Sequence, residues 1–460
     1  MAMNAQPDFS RAFRVRGTWW LAASPERAVP GVVLYRPGAP IRARFFGSLA
    51  SKHSQTDATP PEAVLGKDGS GRPCTLLQPR LWRSSGHIGD RGREIVDEWM
   101  IAELLVFGRH VTSLATFRLN RIAVGFRHLE KWVATPAFGP ASGDDTPEDG
   151  LARTELPPPR ILEGLAVSHE LTTRGDPHLK VLRKHRALLE LVAADRPWEW
   201  WAGTIRHLQR LLSLLIHRVT RPSVIYGFGP EQSLPASILY AVPATTDESS
   251  LDWRDVALPL ESVRAHLPAV LEEWFAKRDM LEPVLDLYSD ARENDGLGLA
   301  STILQLTTAI EVWHRRCRGG IYLEPEEYAA AIGKLLECQP VGLPDGLSDR
   351  IRNTLKHANE FSLRKRFQQI RASLSADSGA LGLLGSDVFW SKVIETRNYL
   401  THLGEASDAV YPPRLYWVVE RRLVRLLSLL LLKETGLPEE LIVEGLYRAG
   451  EGAILVQGES

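Results

Sequence analysis

Apolar and polar positions alternate along this chain with two different periods, and the change of period divides it. Between residues 13 and 121 the apolar residues come in short runs suited to strands: FRVRGTWWL at 13–21, VVLY at 32–35, IRARFF at 41–46, EWMIAELLVF at 98–107 and SLATFRLNR at 113–121. β-branched and aromatic residues fill these runs, and Gly17, Gly31, Gly38 and Gly47 punctuate them, as strands joined by turns require. Stretches 51–73 and 139–160 are rich in Pro, Gly, Asp and Ser and are expected to be exposed loops. GKDGSGRP at 66–73 lacks the spacing and the following helix of a phosphate-binding loop, so it reads as a turn.

Further on the period lengthens. In 198–219, Trp201, Ile205, Leu208, Leu211, Leu212, Leu215 and Val219 recur at helical spacing, and Pro222 is expected to end that helix. WEWW at 198–201 reads as a packing cluster at the helix start rather than a base-stacking platform. Two β-like runs, SVIYGF and SILYAV, lie within 223–242, and 263–288 predicts one or two helices. From 296 the chain reads as all-helical, with helices over 297–318, 325–338, 347–357, 362–374, 387–403 and 413–434. Gly404 and Gly436 stand where helix C-caps favour glycine. The expected fold class is α+β. It has a β-rich domain over 1–180, a mixed continuation with connecting helices over 181–292, and an all-α helical bundle over 293–460.

Composition narrows the chemistry. The formal net charge is −1, so any nucleic-acid site must be a local patch rather than a global field. Cys74, Cys317 and Cys338 are too far apart for a disulfide framework or a cysteine metal site. No cofactor or metal ligand set is evident. The opening residues carry no apolar run of a secretion signal, and no stretch approaches the ~20 apolar residues of a membrane span. The apolar run 423–432 is interrupted by Arg425 and reads as a buried helix. A cytoplasmic protein that does not contact membrane is the expectation.

One short pattern carries possible chemistry: Arg397-Asn398-Tyr399-Leu400-Thr401-His402. An Arg and a His at this spacing are easily matched by chance in a chain with 13 His. Arg352 and His357 repeat it, and looser matches pair Arg80 with His87, Arg121 with His128 and Arg210 with His217. Context favours Arg397. It sits late in a helix with an apolar face of Phe389, Trp390, Val393, Ile394 and Leu400, and Asn398 is an i,i+4 neighbour of His402. Arg352 and His357 instead sit in a basic stretch that reads as a solvated face.

At these residues the chain resembles the ApeA family of anti-phage abortive-infection proteins, in which a β-rich N-terminal domain precedes a HEPN domain. RGTWWLAASPERAVPGVVLYRPGAPIRARFFGSL resembles the family's opening strands. LPAVLEEWFAKRDMLEPVLDLYSDA, LASTILQLTTAIEVWHR, NEFSLRKRFQQI and VIETRNYLTHLG resemble its approach to the HEPN domain and that domain's helices. The resemblance implies a metal-independent endoribonuclease, dimeric through the HEPN domain, that cleaves RNA (tRNA among the candidates) by 2′-OH attack. It implies catalytic roles for Arg397, His402, Asn398 and Glu311. His402 would move protons, since imidazoles titrate near neutral pH. Arg397 would grip phosphate, Asn398 would orient His402 or bind phosphate, and Glu311 would hold Arg397 or His402 unless it pairs with Arg315. Thr401 reads as a helix-face hydroxyl. Arg364, Lys365 and Arg366 are candidate RNA contacts, as is the basic stretch 180–186, although each also reads as a solvated helix face. The N-terminal region would sense a phage or host trigger, or restrain the nuclease. Two other readings stay open: a non-catalytic dimeric HEPN module that binds RNA or protein, and a ligand-sensing β domain with a helical dimerisation domain.

Overall fold

The computed structural model describes residues 9–49, 60–88, 94–133, 150–176, 179–230, 234–242, 251–294, 296–338, 340, 343–403 and 407–449. The chain divides into two compact units, Met1–Phe275 and Ala276–Ser460. The first is built on strands. β1 (Phe13–Leu21), β2 (Val29–Tyr35), β3 (Ile41–Phe46), β4 (Ala63–Asp68), β5 (Pro73–Leu77), β6 (Arg80–Ile88) and β7 (Glu94–Ala102) form its opening half. β8 (Leu104–Phe107), β9 (Arg118–Phe126), β10 (Gly150–Leu156), β11 (Gly164–Asp176), β12 (Leu179–Pro197), β13 (Pro222–Phe228) and β14 (Ala236–Tyr240) complete it. These strands join one sheet in the order β10-β11-β12-β9-β13-β14-β8-β5-β4-β1-β2-β3-β7-β6.

The alternation in IRARFF is kept residue by residue: Ile41, Ala43 and Phe45 are buried while Arg42, Arg44 and Phe46 face solvent. The strand period of two dictates this once one face packs on a core. Trp19 is fully buried, against Gly66 of the neighbouring strand. A Cβ at Gly66 would stand 2.4 Å from the Trp19 ring, so only glycine admits the indole.

The apolar run 98–107 forms two strands rather than one. β7 lies between β3 and β6, whereas β8 lies between β14 and β5. The break at Glu103 is silent in a hydrophobic pattern. The expected strand at 113–121 starts only at Arg118. The expected loop 51–73 contains β4, and its 66–73 segment is indeed a turn: Asp68 Oδ1 accepts from the backbone N–H groups of Ser70 (3.0 Å) and Arg72 (2.9 Å). The expected loop 139–160 gives way to β10, while residues 139–149 lie outside the described ones. A boundary at residue 180 would cut β12, and β13 and β14 enter the middle of the same sheet. Residues 180–186, read as a helix face, belong to β12.

Among the described residues the α-helices α1 (Leu129–Val133), α2 (Trp198–Ile216), α3 (Leu260–Val263) and α4 (Leu267–Ala276) accompany the sheet. α2 buries the predicted stripe from Trp201 to Leu215, while Val219 lies beyond the helix and is half-buried. It ends at Ile216 because His217 turns left-handed (φ 59°), before Pro222 is reached. The Trp cluster packs: Trp201 is fully buried and donates Nε1–H to Leu119 O at 3.0 Å. His207 and Trp274 clasp reciprocally. The indole N–H donates to His207 O at 3.0 Å, and His207 Nε2 lies 2.9 Å from Trp274 O.

The second unit is helical: α5 (Arg278–Glu293), α6 (Leu299–Arg318), α7 (Pro325–Glu337), α8 (Asp345–His357), α9 (Leu363–Ala372), α10 (Ala380–Leu384), α11 (Asp387–His402), α12 (Tyr416–Lys433) and α13 (Glu439–Arg448). α10 and α13 lie outside the helices that the sequence pattern predicts. α6 is the hub, touching α5, α9, α11 and α12. α12 is buried nearly all round, including Arg425, so the run 423–432 is a core helix. Tyr288 Oη and Ser428 Oγ, 2.9 Å apart, tie α5 to α12. Glu434, just after α12, accepts from Arg318 at 2.7 Å, and its carbonyl accepts from Lys277 at 2.7 Å. Among the described residues no helix is long and apolar enough to cross a membrane. The chain is thus α+β, a β-rich N-terminal region followed by a helical C-terminal one.

Candidate functional site

Helix α11 carries the candidate residues, and its sequence explains their placement. The Ser386 side chain caps its start, accepting from Phe389 N at 3.2 Å, as N-cap serines do. Phe389, Trp390, Val393, Ile394 and Thr396 are buried, and Trp390 stacks on Phe367 of α9 with centroids 4.1 Å apart. Arg397 comes one turn after Val393, at the border of this apolar face. Its side chain is 28% exposed.

From there it reaches α6. Arg397 Nη2 lies 3.5 Å from Glu311 Oε2, and Nη1 donates to Asn398 Oδ1 at 3.4 Å. Both contacts are at the long limit of hydrogen bonding. They use two of the five guanidinium N–H donors, so the group is aimed without being saturated. Arg315, the alternative partner of Glu311, instead donates to Glu360 at 2.8 Å. Asn398 accepts from Arg397, and among the described residues it makes no hydrogen bond to His402. Thr401 Oγ1 donates to Arg397 O at 2.8 Å, as a helix-face hydroxyl.

His402 is the last residue of α11 and is exposed. The left-handed cap is Leu403 (φ 49°), whose N–H donates to Tyr399 O at 2.6 Å. The cap was expected at Gly404, which lies outside the described residues. A left-handed leucine carries ~1–2 kcal/mol of backbone strain. Further along, the chain is pinned back to α11: Thr396 Oγ1 accepts from Tyr411 N at 2.9 Å.

The three basic candidates on α9 separate. Arg364 is exposed and reaches Ser391 Oγ at 3.1 Å and Glu395 at 3.3 Å on α11. Lys365 is partly exposed. Arg366 is not on a solvated face at all, being 2% exposed. Its guanidinium donates to His314 Nδ1 (3.0 Å), Gly319 O (3.2 Å) and Phe361 O (3.1 Å), and lies 3.7 Å from Glu360. Leu363, Arg366, Phe367 and Ile370 are the buried residues of α9, so Arg366 occupies an inward position of the helical repeat. That spacing was present in the sequence but was masked by the basic run. Burial, and then the Arg366 cation, push the His314 pKa below the usual 6.5. This keeps its imidazole neutral, with Nδ1 as acceptor. The His314–Arg366 pair is the feature that motif reading missed.

The rival match lies on α8, where Arg352 is exposed and the His357 side chain is 80% exposed. Of the looser matches, His128 and His217 are buried. The side chains of 180–186 fall outside what is described.

Two family models match the chain. The ApeA N-terminal domain 1 matches residues 14–274, more than half of the 460, and the Apea-like HEPN matches 304–441. The second match contains Glu311, Arg366, Arg397 and His402. No curated protein and no solved structure matches the chain. With its two domains accounted for in order, the chain belongs to the ApeA family of anti-phage HEPN proteins.

Proposed function

We propose that this protein is a metal-independent endoribonuclease acting in abortive infection, with Arg397 and His402 as its catalytic residues. The observation that carries this reading is the pairing of an Arg397 held half-buried by Glu311 with an exposed His402 at the end of the same helix. RNA supplies the nucleophile. The 2′-oxygen bonds to the adjacent phosphorus, the bond to the 5′-oxygen breaks, and the products end in a 2′,3′-cyclic phosphate and a 5′-hydroxyl. One imidazole accepts the 2′-OH proton, and another proton is delivered to the leaving 5′-oxygen. Arg397 stabilises the charge that builds on the phosphorane oxygens. Two proton positions on opposite sides of the phosphorus suit two copies of His402, so the working form is a homodimer through the helical domain. Asn398 and Glu311 position Arg397.

The test is cleavage of tRNA and total RNA by the wild type, Arg397→Ala, His402→Ala and His357→Ala, with EDTA throughout and product ends mapped. Loss of activity in the first two variants only, with cyclic-phosphate ends, is expected. An inert dimeric wild type would instead support a non-catalytic HEPN module.

A further inference from the structure

We propose that the solvent face of strands β1, β2, β3, β7 and β6 is a docking surface for single-stranded RNA; the choice of RNA rests on the ribonuclease reading above. The strand register brings the relevant residues into rows. One row across the five strands reads Arg14, Leu34, Arg42, Ile101 and Arg80. The next reads Arg16, Val32, Arg44, Trp99 and Arg83. Cross-strand partners project to the same side of a sheet, so six arginines share one face. Arg14, Arg16, Arg42, Arg44, Arg80 and Arg83 are all exposed.

Aromatic rings interleave with them. Arg44 lies 4.9 Å from the Phe46 ring centroid and 5.1 Å from that of Trp99, and Arg83 lies 5.3 Å from Trp99. The ladder between β6 and β7 shifts register between Leu81 and Arg83. Trp82 is the extra residue of this bulge, a device that re-aims side chains. Trp82 is 59% exposed, with the Arg42 guanidinium 5.1 Å from its ring.

Charge decides the class of occupant. Asp97 neutralises Arg44 at 2.6 Å and Glu103 neutralises Arg80 at 3.0 Å. Arg14, Arg16, Arg42 and Arg83 have no carboxylate partner among the described residues. A whole-chain net charge of −1 makes this a local concentration of positive charge. Phosphates answer the unpaired arginines, and unstacked bases answer Trp82, Trp99 and the guanidinium planes. That combination of cationic groove and stacking platform is what a single strand requires. A duplex hides its bases and uses only the charges. An acidic peptide would leave the rings without partners.

The experiment uses the full chain with His402→Ala, to prevent cutting, and fluorescence anisotropy with a labelled 20-nucleotide oligo(U). Oligo(dU), duplex RNA and polyglutamate serve as competitors. The surface predicts binding to oligo(U) that falls with salt. Trp82→Ala should weaken it about 5- to 160-fold, the loss of one stacked base, and Trp82→Phe should restore most of it. The exposed pair Arg16→Ala/Arg42→Ala should reduce the slope of log K against log salt by about 1.4, from two phosphate contacts. A thermal melt confirms that these surface variants fold. Unchanged binding in both sets, a parent that binds no oligo(U), or tighter binding of oligo(dU), duplex or polyglutamate would overturn the proposal. The ribonuclease reading fails separately: a wild type that holds oligo(U) through Trp82 yet cuts no RNA sinks the nuclease and keeps the surface.

Discussion

Two sets of arginines, one in each unit, are placed in opposite ways. On β1, β3 and β6 the arginines stand outward in cross-strand rows. In the helical unit Arg366, Arg422 and Arg425 are turned inward, at 2%, 3% and 0% exposure. In the sheet, charge is displayed as surface chemistry. In the bundle, the Arg366 cation ties α9 to His314 of α6 and to the backbone of Gly319 and Phe361. Identical side chains therefore carry different meanings, set by whether the repeat of the element points them at water or into the core. A buried guanidinium is tolerated only where acceptors surround it, as they do around Arg366.

The contrast predicts effects of graded size. The largest belongs to the exposed helix end. Arg397→Ala and His402→Ala should each lower cleavage by roughly 10²–10⁴-fold, while His402→Ala shifts stability by less than about 0.5 kcal/mol. Rates within a few-fold of wild type would remove α11 from the chemistry. In the sheet unit, Trp201→Ala should cost about 3–5 kcal/mol in a denaturant titration, since the indole is fully buried. Next, Arg366→Ala should cost about 2–4 kcal/mol, because it orphans carbonyl acceptors and His314. The neighbouring Arg364→Ala should cost under about 1 kcal/mol. Equal costs for the two would erase the distinction between inward and outward arginines.

Smaller still, Glu311→Gln should slow cleavage by about tenfold by loosening Arg397, a change of ~1.4 kcal/mol. Its melting temperature should stay near that of wild type. Arg315→Ala should not slow cleavage, because Arg315 pairs with Glu360. The smallest effect is a pH slope. The folded His314 titrates below 6.5, so the unfolded chain takes up its proton first. The contribution of His314 to stability is present above pH ~6.5 and is lost as pH falls through the folded value. Melts between pH 8 and 5 should show this decline, and His314→Gln should flatten it. An unchanged slope in that variant would assign the decline to another group.

The amino-acid sequence by itself determined the two periods, and with them the order of a β-rich region and a helical one. It determined the inward and outward residues of IRARFF, the stripe of α2, and the Arg397–His402 spacing on one helix. These are local properties, readable because a strand repeats every two residues and a helix every 3.6. The tertiary structure alone decided the rest. It split 98–107 into two strands at Glu103, because strand order depends on partners far away in the chain. It gave Glu311 to Arg397 by engaging Arg315 with Glu360, a choice between two neighbours that spacing leaves equal. It surrounded the inward-facing Arg366 with acceptors, two of them, His314 and Gly319, from distant positions in the chain. It also aligned the arginines of β1, β3 and β6 in rows, since cross-strand register is a long-range pairing that a one-dimensional pattern does not contain.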